Sequence, residues 1–125
     1  MSVVRVEVEV APPYAVHVGD GALEAARAPF AQERPRVLIS DERVLRLHGS
    51  ALDPNGVALR LAVPEGEGAK TLGQLERVLE FLAEQRLDRK ACLWTLGGGS
   101  VLDLGGFAAA LYMRGIDVVH CPTTL

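Results

Sequence analysis

Val3-Val4-Arg5-Val6-Glu7-Val8-Glu9-Val10 alternates apolar and charged side chains, the period of a half-exposed strand. Pro12-Pro13 ends that run, and Tyr14-Ala15-Val16-His17-Val18 reads as a second, antiparallel strand. Gly19-Asp20-Gly21 then turns the chain into an Ala-rich helix over about 22–28. The weakly charged run at 36–40 has the character of a strand covered on both faces. Asp41 starts a short helix over about 42–48, Asp53-Pro54-Asn55-Gly56 forms a turn, and a further strand is expected over 57–63. Residues 64–70 read as a loop. Thr71 caps the clearest helix, where Leu72, Leu75, Val78, Leu79 and Leu82 recur at helical spacing. A buried strand follows over 91–96, then a helix opened by Gly97-Gly98-Gly99-Ser100, running to about 113 and closed by Arg114-Gly115. The last strand is expected over 117–121.

From residue 36 onward strands and helices alternate, which implies right-handed crossovers and a parallel sheet. The expected fold is α/β: a Rossmann-like, open, mostly parallel sheet with helices on both faces and an antiparallel N-terminal edge hairpin. In such sheets ligands bind beyond the carboxyl ends of the strands. The segments placed there begin at Asp41, Glu65, Gly97 and Pro122, and they hold most of the polar and glycine-rich sequence.

Composition narrows the partners. The chain has 125 residues, 49% of them hydrophobic, with 13 basic and 16 acidic side chains and a net charge of −3. That length suits one domain, taken here as 1–125, and the hydrophobic content excludes a disordered chain. No basic excess exists to neutralise a phosphate backbone, so nucleic acid is not an expected partner. The first ten residues lack the pattern of a signal peptide, and the long weakly charged stretch over 91–112 carries Asp103 and five glycines. A soluble cytoplasmic protein without membrane contact is the expectation. Cys92 and Cys121 both lie in strand-like runs and read as buried small hydrophobes.

The triple glycine carries the strongest chemical signal. Between a strand and a helix it lets backbone approach a ligand closely, and the free N–H groups of the helix favour an anion such as a pyrophosphate. Leu102 occupies the place where a G-x-G-x-x-G fingerprint beginning at Gly97 would require its third glycine. Asp103 falls in the first turn of the same helix. An acid there either complements the helix dipole, worth about 0.3–1 kcal/mol, or reaches into the cleft toward a ribose or substrate hydroxyl. Glu65, Glu67 and Lys70 are either a solvated charged loop or ligands for sugar hydroxyls and phosphate. Arg114 suits a helix C-terminus and equally suits capture of an anion. His17, His48 and His120 have no partners at metal-ligand spacing and read as surface or packed histidines.

Taken jointly, these segments resemble the N-terminal half of the 3-dehydroquinate synthase family. Residues 63–71, containing Glu65-Gly66-Glu67-Gly68-Ala69-Lys70, are similar to its D/E-G-E-x-x-K segment. Residues 97–115 resemble its G-G-G-x-x-x-D-x-x-G-F-x-A-x-x-x-x-R-G block, and Pro122-Thr123-Thr124-Leu125 its P-T-T-L. The resemblance implies NAD as cofactor. It places Asp41, Glu67 and Lys70 on the adenosine part, and Gly98, Gly99, Ser100, Asp103, Thr123 and Thr124 along the pyrophosphate and nicotinamide ribose. It also implies that Glu65, Gly66, Gly68, Ala69, Val101 and Leu102 bind the cofactor. Arg114 would meet the phosphate of a phosphorylated sugar acid, across a homodimer. The implied reaction converts 3-deoxy-D-arabino-heptulosonate 7-phosphate into 3-dehydroquinate and phosphate. It also implies a divalent metal, zinc or cobalt, as Lewis acid, held by a Glu and two His in a later helical domain absent from this chain. A chain that stops at Leu125, within the expected cofactor loop, would be a truncated half-enzyme, inactive alone.

Two positions depart from the family pattern, which has Gly in place of Leu102 and a hydrophobic residue in place of Ser100. G-G-G-S-x-x-D is instead similar to glycerol and iron-type alcohol dehydrogenases, the alternative enzyme class. A non-catalytic nucleotide-binding module is the second alternative.

Overall fold

The computed structural model describes residues 2–27 and 34–124, in two compact units divided between Glu33 and Arg34. In the first unit, β1 (Val4–Val8) runs antiparallel to β2 (Tyr14–Val18), followed by α1 (Ala22–Arg27). Residue 28, expected to end that helix, lies outside the described residues. The register pairs Val4 with Val18, Val6 with Val16 and Val8 with Tyr14, so one face of the ribbon is apolar. The alternation therefore produces the expected hairpin, but Val4, Val6, Val16 and Val18 are exposed. This hairpin forms a two-stranded sheet of its own rather than an edge of the larger sheet.

The second unit holds β3 (Arg36–Asp41), α2 (Glu42–Leu52), β4 (Leu59–Val63), α3 (Leu72–Glu84), β5 (Cys92–Gly97), α4 (Gly99–Leu111) and β6 (Asp117–Pro122). Short 3₁₀ turns occupy Gly66–Ala69 and Tyr112–Arg114. The four strands form one parallel sheet in the order β4-β3-β5-β6. Right-handed crossovers in that order put α2 on one face and α3 with α4 on the other. The order also reverses between β3 and β5, the topological switch point at which open α/β sheets bind ligands.

Local chemistry explains where the elements begin. Asp41 Oδ1 accepts from the Val44 amide at 2.8 Å, and Thr71 Oγ1 accepts from the Gln74 amide at 3.1 Å, each relieving an orphan donor of a helix. Helix α2 outruns its expected end, and Gly49 is a buried packing position inside it. A Cβ there would lie 3.1 Å from Arg60 Nη1. Strand β4 begins two residues later than expected because the Val57 and Ala58 amides are taken by the Asp53 carboxylate, at 3.1 Å each. The helix expected to reach residue 113 gives way after Leu111, where Met113 turns to φ 50°.

The main core lies between the sheet and the α3/α4 layer. Val37, Ile39, Leu61, Val63 and Leu93 meet Val78 and Leu82 of α3 and Val101, Leu104, Ala108 and Ala109 of α4. Leu72, assigned to the apolar stripe, is instead 80% exposed at the start of α3. The alternate strand positions Leu38, Trp94 and Leu96 are buried on the opposite face, with the Arg36 guanidinium 5.4 Å from the Trp94 ring centroid. Tyr112 donates its hydroxyl to the Leu87 carbonyl at 2.5 Å, with the Leu82 carbonyl 3.2 Å away, tying the end of α4 to the end of α3. Among the described residues no helix is long and apolar enough to cross a membrane.

The close seat of α4 depends on Gly105, since a Cβ there would collide with Cγ2 of the fully buried Thr95. Gly105→Ala is expected to lower unfolding stability by about 1–3 kcal/mol, the usual range for overpacking. Urea denaturation checks this, and an unchanged midpoint would mean the contact relaxes without cost.

Candidate functional site

The carboxyl ends of the strands are level, since Asp41 pairs with Val63 and Gly97 with Pro122. Three groups of residues meet the space beyond them. The first is the turn from β5 into α4. Gly97 is buried at φ +153°, and a Cβ there would lie 3.3 Å from Val101 Cβ and Cγ2. Gly98 caps α4 without a side chain, and its carbonyl accepts from the Val101 and Leu102 amides at 3.1 and 3.2 Å. A Cβ on Gly99 would meet nothing within 4 Å. The first amides of a 13-residue helix therefore adjoin open space, a favourable place for an anion. The Thr123 amide donates to the Gly97 carbonyl at 2.8 Å, which brings Thr123 and Thr124 alongside this turn.

The second group is the 3₁₀ turn after β4. Gly66 takes φ +66°, and Ala69 is fully buried under the turn, anchoring it to the core. A Cβ on Gly68 would press Pro64 Cβ at 3.3 Å. So held, Glu67 and Lys70 reach the first turn of α4. Ser100 Oγ donates to Glu67 Oε1 at 3.3 Å, and Lys70 Nζ lies 3.2 Å from Asp103 Oδ2. The Asp103 carboxylate hydrogen-bonded to Lys70 raises its pKa above 10.5, helped by the fields of Glu67 and Asp103. Val101 is buried beneath this cluster and Leu102 half-buried beside it.

The third group surrounds Asp41, which is 5% exposed at the end of β3. One oxygen caps α2, and the carboxylate lines a cleft of about 340 Å³ with Glu42, Arg43, Arg46, Val63, Pro64 and Glu65. Arg43 and Arg46 are site residues that no motif in the sequence marks. Three apart in the first turns of α2, they share one helix face, and that spacing is the signal that points to them. His120, expected as a surface or packed histidine, is exposed, and its Nδ1 lies 2.6 Å from Thr95 Oγ1.

Arg114 stands apart. It is exposed, at φ +66°, beyond the end of α4 at Leu111, which is itself about 12 Å of helix rise from Asp103. The fold of this chain does not bring it to the cluster. Residue 125 lies outside the described residues.

The donor set suits a dinucleotide. Uncapped amides and the open side of Gly99 match a pyrophosphate, and the exposed carboxylates of Glu67 and Asp103 match ribose hydroxyls. Among the described residues no three His, Cys, Asp or Glu side chains are grouped to hold a metal ion, so the implied metal finds no ligand set there.

The family model described as 3-dehydroquinate synthase N-terminal matches residues 60–125. A 3-dehydroquinate synthase of Bordetella pertussis is 42% identical over 127 aligned positions, covering 94% of this chain and 36% of the relative. One of Rhodospirillum rubrum is 41% identical, covering 90% of this chain and 31% of the relative. The chain thus spans about a third of the length of these relatives. Among solved structures, a 2-deoxy-scyllo-inosose synthase superposes with TM-score 0.79 at 25% identity, over 98% of this chain and 36% of the other. A 2-epi-5-epi-valiolone synthase of Streptomyces hygroscopicus, solved with NAD+ and Zn2+ bound, gives TM-score 0.66 at 28% identity, over 82% and 30% respectively.

The Lys70–Asp103 pair has a direct test. Asp103→Asn is expected to bring the Lys70 pKa down toward 10.5, read by NMR titration of the ammonium group. Because the folded pKa is raised, the favourable contribution of the pair is present below 10.5 and is lost as pH rises through the raised value. An unchanged titration would show that the pair does not persist in solution.

Proposed function

The chain belongs to the 3-dehydroquinate synthase N-terminal family, and from that premise we propose that it is the NAD-binding portion of a 3-dehydroquinate synthase. The substrate is 3-deoxy-D-arabino-heptulosonate 7-phosphate, and the products are 3-dehydroquinate and phosphate. The observation that carries the proposal is the joining of the glycine turn to the 3₁₀ loop through Ser100–Glu67 and Lys70–Asp103 at the sheet's switch point. When bound, NAD supplies reversible hydride exchange with a substrate hydroxyl.

The residues divide that work. Amides of Gly98, Gly99 and Ser100 hold the pyrophosphate, where the dipole of α4 favours negative charge. Asp103 accepts from a ribose hydroxyl, and Lys70 aims its carboxylate through their ion pair. Glu67, steadied by Ser100, does the same on the adenosine side, with Asp41 and Glu65 bordering the neighbouring cleft. Thr123 and Thr124 close the turn from the β6 side. Arg114, in the turn beyond α4, meets a substrate phosphate from a second copy of the chain, which makes the working unit a homodimer. A divalent zinc or cobalt ion belongs to the reaction, on ligands outside the described residues. The setting is the cytoplasm. Alone, the chain is expected to bind NAD without turning substrate over.

Calorimetry with NAD tests the site. Gly99→Val, which fills the open side of the turn, and Asp103→Asn are each expected to weaken binding about tenfold, or 1.4 kcal/mol. Unchanged affinity in Asp103→Asn would return that carboxylate to a helix-dipole role. For the complete enzyme, phosphate release without net NADH supports the synthase. Net NADH formed from glycerol would favour the dehydrogenase alternative suggested by Ser100.

A further inference from the structure

His120 has no part in the scheme above, yet it stands on the edge strand β6, exposed at its outer side and packed against α4 on the other. It faces Thr95 across the β5–β6 ladder, with Nδ1 2.6 Å from the hydroxyl of that fully buried residue. Helix α4 closes over the pair through adjacent glycines. A Cβ on Gly105 would strike Thr95 Cγ2, and one on Gly106 would lie 3.3 Å from both Cε1 and Nε2 of the imidazole. Gly106 follows Asp103 by three residues, so the covered edge of the ring and the carboxylate share one face of α4.

With the Thr95 hydroxyl assigned as donor to Nδ1, the ring proton sits on Nε2, the nitrogen beside α4. Burial lowers the His120 pKa below 6.5, and the Asp103 field opposes that shift. Asp103 is the charged group on α4 that acts on the ring, and β5 presents the uncharged Thr95.

We propose that His120 is a positioning residue for Asp103. Neutral, it leaves the carboxylate to Lys70 and the cofactor. Protonated, it draws the carboxylate toward β6 and loosens the hold on the cofactor. The role rests on the reading of Asp103 as a cofactor ligand.

Two measurements on the full chain test it. NMR titration of the imidazole, identified by its absence in His120→Gln, should show His120 titrating at still lower pH in Asp103→Asn, because the favourable field is gone. An unmoved titration overturns the proposal. NADH fluorescence supplies the second measurement. Affinity of the unmodified chain should fall about fivefold as pH drops from about 8 to about 5, a coupling of ordinary size. In His120→Gln the profile should flatten. An equal fall in that variant, or tighter binding toward acid in the unmodified chain, overturns the proposal. If His120→Gln fails to fold, the Asp103→Asn titration decides, with the His120 resonance then assigned through its contact with Gly106. Absence of NADH binding at every pH overturns the cofactor reading and the positioning role together, whereas binding without the Asp103→Asn shift overturns the positioning role alone.

Discussion

The seat of α4 against β5 is the contact on which the rest of the second unit depends. A helix normally stands off a sheet by the depth of its side chains. Here Gly105 removes one side chain at the point of contact, and the methyl of Thr95 fills the gap. Val101, Leu104, Ala108 and Ala109 on the same face are buried as a result, and small residues predominate toward the helix's far end. The close approach fixes the helix's axis relative to the strand, and with it where the first turn of α4 emerges beyond Gly97.

The geometry of the cleft follows from that seat. The turn from β5 into α4 has room for only glycine at Gly97, where positive φ and the nearby Val101 side chain combine. Beyond it the amides of α4 have no side-chain cap, and the open flank of Gly99 keeps them accessible. The loop after β4 is held by the burial of Ala69. Its polar residues then have few directions to take, and Glu67 and Lys70 bridge to Ser100 and Asp103. These contacts are exposed, so each alone adds little to stability. Their effect is on placement: two carboxylates and one ammonium stand around a helix N-terminus, where charge matters to a ligand.

The order of elements in the second unit was legible because each depends on local rules. Periodicity marked α3, the caps Asp41 and Thr71 marked helix starts, and runs without charge marked β3 and β5. One misplaced boundary adjoins a tertiary contact, and the other had a local cause. Gly49, inside α2, leaves room for Arg60 of β4, and the Asp53 carboxylate, not the ladder, takes the first amides expected of β4. The alternation of Val4, Val6, Val16 and Val18 identified a ribbon correctly but carried no information about what covers its apolar face.

For the cleft, the sequence alone determined the residue types: glycines where backbone must be bare, carboxylates and a lysine in the loop after a strand, an acid one turn into a helix. Those are properties of short segments, set by steric freedom and charge within a few residues. Which of them meet was decided only by the tertiary structure. Sheet order brings residues 33 apart in the chain together, as in Ser100 with Glu67, and sends Arg114 beyond the far end of α4. It also sets His120 beneath Gly106 against Thr95, a contact between strand and helix that no local pattern encodes. The reason is physical: a strand pattern specifies two faces, but its neighbours are chosen by hydrogen-bond pairing and crossover handedness acting over the whole chain.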